Sequence, residues 1–386
     1  MIKALAEKHS EYIIERRRWY HAHPELSGEE VNTRRQIRAD LEAMGITDIR
    51  EMDNCYGLIA TIHGGKRGKT VALRTDTDAL KIREETGLPF AAENGAMHAC
   101  GHDNHIAMLL GAAKILNDLR DELCGDVRLI VQPAEEVAQG ALKMVEAGAM
   151  DGVGAVYGNH VWGAFPAGLI DATPGNRMAC CHGFTIEIEG VAAHGSAPHL
   201  GLDAITVSAA VINALQQCVS RMNDPLNPLV LTIGTIRGGS RFNVIPNHVT
   251  MEGTVRTFSL GTEVEDRMRK VIDDTVAAFG TTATLKYDYM TAPVINADEQ
   301  LNRLARQAIV KIAGEEAVGH CPTMMGSEDY SWLGDKTGVP YFYGFIGTGD
   351  AKHSYTNHHE KYDMDENILH VGAAVMAQFA MDYLAE

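Results

Sequence analysis

The apolar positions along the chain switch between two periods, and the switch points outline its organisation. Residues 2–20 repeat at helical spacing, turn at His23-Pro24, and resume as a second helix to about residue 44, where Gly45 ends it. Two short β-rich runs follow, 57–63 and 70–74, split by the Gly- and Lys-rich turn 64–69. An Ala-rich segment at helical period covers 105–119, followed by strand 127–132, helix 139–147 and strand 155–158. Strands alternating with helices of this length predict a largely parallel sheet covered on both faces.

The texture changes near Met178. Residues 182–190 alternate strictly, a helix spans 203–222, and strands 229–236 and 248–258 flank a Gly-Gly loop. A helix over 263–279 and a strand over 282–289 complete a strand–helix–strand–strand–helix–strand order, which predicts a compact ferredoxin-like α+β unit. After Pro293 the alternation of helix and strand returns. The predicted fold class is therefore α/β: a larger domain with a mostly parallel sheet flanked by helices, in two parts (1–180 and 293–386), interrupted by a smaller ferredoxin-like α+β domain at 181–292.

Composition narrows the class of molecule. A length of 386 residues suits two or three folding units of ~150 residues. With 45% hydrophobic and 22% charged residues, a disordered chain is excluded. The excess of 51 Asp+Glu over 34 Lys+Arg, a net −17, argues against general attraction to nucleic acid or anionic lipid. No apolar run of ~18 residues is expected to cross a bilayer, and the first residues lack a signal-peptide core, so a cytoplasmic location is expected. The seven cysteines are scattered, with no C-x-x-C pair, and read as free thiols rather than a disulfide framework.

Five short clusters could carry chemistry. In Met97-His98-Ala99-Cys100-Gly101-His102-Asp103-Asn104-His105, Cys100 and His102 can face one point if Gly101 lets the backbone turn tightly. Thiolate and imidazole are good ligands for zinc and neighbouring transition ions. Gln132-Pro133-Ala134-Glu135-Glu136 follows an apolar strand, where active sites of open α/β sheets lie. There one carboxylate could bind a metal while its neighbour acts as general base, although a lone Glu-Glu pair is more often a solvated loop. Gly158-Asn159-His160 is expected after a strand, and Asn357-His358-His359-Glu360 could send one histidine inward. Thr75-Asp76-Thr77-Asp78 offers Asp78 as acceptor for the second N–H of a metal-bound imidazole.

At these residues the sequence resembles the M20 metallopeptidases, in particular the subgroup of hippurate hydrolases, indole-acetyl-amino-acid hydrolases and N-acyl-amino-acid amidohydrolases. The resemblance runs through RTDTDAL, MHACGHDNH, QPAEE, GNHVWG, VAAHGSAPHLGLDA, RFNVIPN, GTVRT, MGSEDYSWL and HHEKYD. It implies a catalytic domain with an inserted lid, and two divalent metal ions (Zn, Mn, Co or Ni) that share one ligand. Carried over by position, Cys100 would bridge the ions, His102 and His160 would complete one, and Glu136 and His358 the other. His358 is preferred to His359 because the family's ligand stands four residues before the aromatic, here Tyr362. Glu135 would be the general base on metal-bound water, and Asp78 the partner of His102. Asp76 stands where more distant relatives carry a ligand histidine, so His102 would fill that role. In the lid, His194 resembles the histidine that donates to the tetrahedral oxyanion, in cis or from a partner subunit. Asn243, Gly326 and Ser327 resemble positions that grip the substrate; Arg256 could bind a carboxylate or brace a strand. The implied activity is hydrolysis of the amide of a small N-acyl or N-aroyl amino acid by a homodimer or homotetramer. The alternatives are a metallo-dipeptidase or carboxypeptidase, a Cys100-nucleophile amidase, and a non-catalytic metal-binding protein. Cys180-Cys181 matches no ligand motif, and His359 and Glu360 make their loop more polar than is usual in the family.

Overall fold

The structure is a computed structural model and describes residues 1–386. The chain divides into two units, the first comprising Met1–Arg177, Ile295–Thr323 and Asp329–Glu386, and the second Met178–Val294 and Met324–Glu328.

The first unit opens with helices α1 (Ile2–Lys8), α2 (Ser10–Ala22) and α3 (Val31–Ala43). The single first helix expected from periodicity is thus two, parted at His9, whose side chain turns to Asp118 at 2.8 Å. Next come strands β1 (Asp48–Glu51), β2 (Leu58–Ile62) and β3 (Lys66–Asp76), helix α4 (His102–Asp118), strand β4 (Cys124–Gln132), helix α5 (Gly140–Glu146) and strand β5 (Ala155–Pro166). They build an eight-stranded sheet in the order β1, β2, β4, β3, β5, then Tyr341–Gly349, Ile170–Asp171 and Val318–Gly319. The central pairings β4–β3, β3–β5 and β5–Tyr341–Gly349 are parallel, as the strand–helix alternation predicts.

Two further elements depart from expectation. β5 is far longer than residues 155–158, because its parallel pairing with Tyr341–Gly349 continues through Trp162 opposite Gly347. His160 therefore lies inside a strand and not beyond its end. The other departure is the helical segment Glu366–Ala385, which by length and composition alone would reach across a bilayer, contrary to the expectation that no segment would. Most of its apolar stretch is buried: Leu369, Ala373, Met376, Phe379 and Ala380 belong to the core that also holds Ile106, Leu109, Ala113 and Leu116 of α4. An apolar helix inside a large core passes the same test as a membrane span.

In the second unit, alternation of apolar and polar residues sends Phe184, Ile186 and Ile188 of strand Cys181–Glu189 to one face. That face packs on the apolar stripes of helices Ala204–Ser220 and Thr262–Ala278. The Asp203 side chain caps the first of these helices, accepting from the Ile205 and Thr206 amides. The four strands run antiparallel in the order Leu229–Gly238, His248–Thr257, Cys181–Glu189, Ala283–Thr291, the ferredoxin-like arrangement.

Candidate metal centre

The chain reaches the centre of the first unit along four routes. The first is the turn into α4. Gly101 has φ +96°, and a Cβ there would come within 2.5 Å of Val161 Cγ2, so only glycine allows Cys100 and His102 to approach β5 from one turn. The second is the loop after β4. Its shape is set by two carboxylates that catch three successive amides: Glu30 accepts from Ala134 N–H at 2.8 Å, and Asp78 from Glu135 N–H and Glu136 N–H at 3.0 Å each. Ala134 is held at φ +53°, unusual for a residue with a Cβ. The third route is β5, which presents His160. The fourth is the segment before Tyr362, in which His358 has φ +69° and donates its amide to Ala99 O at 2.7 Å.

Two groups of ligand-type atoms result, and they share one sulfur. Cys100, His102 and His160 form one, and Cys100, Glu136 and His358 the other, each with its ligand atoms within 4.8 Å of one another. Cys100 Sγ lies 3.3 Å from His160 Nε2 and 3.2 Å from His358 Nε2. His359 turns elsewhere: its ring stacks on Tyr355 with centroids 4.3 Å apart. Glu135 stands beside both groups, with one carboxylate oxygen 3.9 Å from His102 Nε2.

The residues pass a chemical test for cations. His102 Nε2 and Glu136 Oε1 are buried with no hydrogen-bond partner, which is costly for groups meant only to pack. The imidazoles are also set for ligation. His102 Nδ1 is 2.9 Å from the Asp78 carbonyl and His160 Nδ1 is 2.6 Å from the Val161 carbonyl, so both Nδ1–H groups donate and both Nε2 atoms are left for the site beside Cys100. The partner of His102 is mainly the backbone of Asp78; the carboxylate is farther, at 3.4 Å, and is engaged by the amides of Glu135 and Glu136 and by the Ser27 hydroxyl.

The electrostatics point the same way. Burial, then the carboxylates of Glu136, Glu135 and Asp76, push the Cys100 thiol well above its ordinary pKa. A free thiolate is disfavoured in this field, and a cation at the sulfur would supply the positive charge that its ionisation needs. Burial by itself would lower the His102 pKa, but Asp76 and Asp78 outweigh it and push it up to about 10. A cation at Nε2 would displace that proton, and the same carboxylates would then offset the cation's charge. Burial holds the His160 pKa well below its usual range, which leaves a lone pair on Nε2 for a cation.

A further set, Asp76, His102 and His105, has the right atoms for a metal but not the freedom. Asp76 accepts from Arg74 Nη1 at 2.7 Å, and both His105 nitrogens are engaged, by Asp76 and by the Val161 amide. Sequence reasoning gave no role to His105, nor to Asn357, whose Nδ2 donates to Cys100 O at 2.8 Å and Val161 O at 3.1 Å while its Oδ1 accepts from Gly163 N–H. It also passed over Ser27 and Glu30, which no motif marks, and the buried pair Arg17–Asp103, which joins α2 to the first turn of α4 at 2.9 Å.

The remaining candidates lie in the second unit. His194 is exposed, its Nδ1 2.7 Å from Ser196 Oγ, and the amide of the next residue, Gly195, donates to Asn243 O at 2.8 Å, so His194 and Asn243 share one corner. Gly326 O accepts from the Ala179 amide, and Ser327 Oγ from Arg256 Nη1 at 2.8 Å.

The description of peptidase family M20/M25/M40 matches residues 72–382. The N-acetyl-L-cysteine deacetylase of Bacillus subtilis is 41% identical over 360 residues, 92% of this chain and 84% of that protein. Thermostable carboxypeptidase 1 of Saccharolobus solfataricus is 36% identical over 384 residues, 97% of this chain and 95% of that protein. Among solved structures, the Bacillus subtilis YXEP protein, described as a dinuclear metal-binding peptidase, superposes with a TM-score of 0.86 at 35% identity, covering 98% of this chain and 99% of its own.

Proposed function

The chain belongs to peptidase family M20/M25/M40, and from that premise we propose that it is a dinuclear metal-dependent amidohydrolase acting on the amide bond of N-acyl or N-aroyl amino acids. The observation that carries this reading is the pair of three-residue groups sharing Cys100, with Glu135 beside them.

In this reading Cys100, His102 and His160 hold one ion, and Cys100, Glu136 and His358 the other. Two such ions supply Lewis acidity toward water and the scissile carbonyl. Glu135 then accepts the proton of the attacking water on its carboxylate and returns it to the leaving nitrogen, which departs as an amine. Asp78, by anchoring the amides of Glu135 and Glu136, keeps the base and the neighbouring carboxylate on fixed stems. His194, Asn243, Gly326 and Ser327 belong to the same reading as donors to the oxyanion and to the substrate's carboxylate. Thiolate, imidazole and carboxylate together suit zinc, manganese, cobalt or nickel. Self-association as a dimer or tetramer is part of the proposal, supported by the two outer strands, Leu229–Gly238 and Ala283–Thr291, each paired on one side only.

The test is metal analysis coupled to hydrolysis of a panel of N-acyl amino acids, with wild type and Glu135→Gln. The variant should retain its metal and lose roughly 10²–10⁴-fold in turnover. Unchanged turnover would remove Glu135 from the mechanism, and retained metal with no hydrolysis by wild type would favour a non-catalytic binding protein. A second reading, cleavage of a peptide's C-terminal residue by the same groups, is favoured by the likeness to thermostable carboxypeptidase 1. Dipeptides in the panel separate the two.

A further inference from the structure

His102 and His105 stand one turn apart on α4, yet their rings do different things. The His102 ring leaves Nε2 without a hydrogen-bond partner, whereas both nitrogens of His105 are occupied. His105 Nδ1 lies 2.6 Å from Asp76 Oδ1, and its Nε2 is 2.9 Å from the backbone nitrogen of Val161. A backbone N–H can only donate, so Nε2 must be the accepting nitrogen and Nδ1 must carry the hydrogen, which it gives to the Asp76 carboxylate. Asp76 is in turn steadied by Arg74.

The amide that His105 receives belongs to a residue that decides the geometry of the neighbouring ligand. The Val161 carbonyl accepts from His160 Nδ1 at 2.6 Å, and from Asn357 Nδ2 at 3.1 Å. An imidazole whose Nδ1–H is tied to the carbonyl of the following residue can present only Nε2, the atom that lies 3.3 Å from Cys100 Sγ. Residue 161 is thus gripped by its N–H from α4 and by its C=O from the His160 ring. Any rotation of the strand there would turn that ring away from the sulfur.

We propose that His105, oriented by Asp76, is a positioning residue that holds β5 at Val161 and thereby aims the His160 ring at the metal centre, without itself being a ligand. The proposal rests on the reading of the site as a pair of metal ions. Outer groups that orient ligands typically change metal affinity 10–100-fold when removed.

Two measurements test it. In metal-free wild-type protein with ¹⁵N-labelled histidines, the two-bond ¹H–¹⁵N spectrum should show both His105 and His160 as Nδ1–H tautomers; an Nε2–H tautomer at His105 overturns the assignment. In cobalt titrations, His105→Ala should lose about 10–100-fold in affinity for one of two equivalents and shift the thiolate-to-cobalt absorption band. His105→Gln should stay within several-fold of wild type, because its carboxamide can donate to Asp76 and accept from Val161 with one group. Unchanged affinity and absorption in His105→Ala, or a folded His105→Gln as impaired as the alanine variant, would overturn the positioning role. If His105→Ala does not fold, the glutamine variant and the wild-type tautomer decide the matter. Wild-type protein that takes up no cobalt overturns the metal reading itself, and that titration distinguishes the two failures.

Discussion

The two units bury different kinds of side chain. In the first, Arg17, His21, Glu30, Asp40, Arg74, Asp76, Asp78, His98, His102, Asp103, His105, His160, Asp171, Arg177 and Asp329 are all buried; in the second, only His182 and Glu328 among the charged types and histidines are. The core of the second unit is instead Phe184, Ile186, Ile188, Val207, Val211, Leu215, Met251, Met268 and Ile272 and their neighbours. Burying a charge is expensive unless it is paired, so the first unit gives up stability for ionic groups that must stay dry and oriented. The second does what an apolar sandwich does cheaply, and keeps its candidate groups, such as His194, at its surface.

Four experiments can break or sharpen this contrast. The largest effect is expected for Arg17→Ala, because Arg17 is fully buried against Asp103 at 2.9 Å, Asp363 at 3.0 Å and Glu366 at 3.2 Å. Removing one partner of a buried pair should destabilise the first unit by about 3–5 kcal/mol in denaturant unfolding. Next, stripping metal with a chelator should lower the stability of the first unit by about 3–4 kcal/mol relative to protein holding ions at 100–1,000 times their Kd, with the second unit's hydrogen-exchange protection unchanged. Equal losses in both units would dissolve the contrast.

Glu30 gives a smaller and pH-dependent effect. Burial, offset in part by backbone amides, pushes its carboxyl up to about 6. A carboxyl raised in the folded state holds its proton longer than in the unfolded chain, so its share of stability is present below the unfolded pKa and is lost as pH rises to about 6. Glu30→Gln should remove that slope, changing the stability difference from wild type by about 2 kcal/mol between pH 4 and 6.5. The smallest effect is Ile186→Val in the second unit, about 1 kcal/mol, read as faster exchange of the surrounding amides with metal content untouched.

The second unit was nearly transparent to sequence reading, since strict alternation in Cys181–Glu189 and helical stripes in its two helices each report a single buried face. In the first unit the parallel core was legible, but the true length of β5 was not. Its extension past residue 158 depends on pairing with a strand almost 190 residues later, and no local signal reports that. The candidate ligands stood out because thiol, imidazole and carboxylate are sparse, recognisable types set in motifs. Glu30, Asn357 and His105 act through hydrogen bonds to backbone far along the chain, and a Glu, an Asn or a second His carries no mark of such a partner in the chain itself.

The discontinuity of the first unit bears on how the protein is made. Its sheet pairs β5 with Tyr341–Gly349, and its largest core closes on helix Leu369–Ala385, so the first 177 residues emerge from the ribosome well before the segments that complete them. Residues 178–294, by contrast, hold all four strands and both helices of their sheet and can condense as soon as they are exposed. Translation thus supplies every strand and helix of that sheet before it supplies Tyr341–Gly349 and Leu369–Ala385, on which the apolar face of α4 closes.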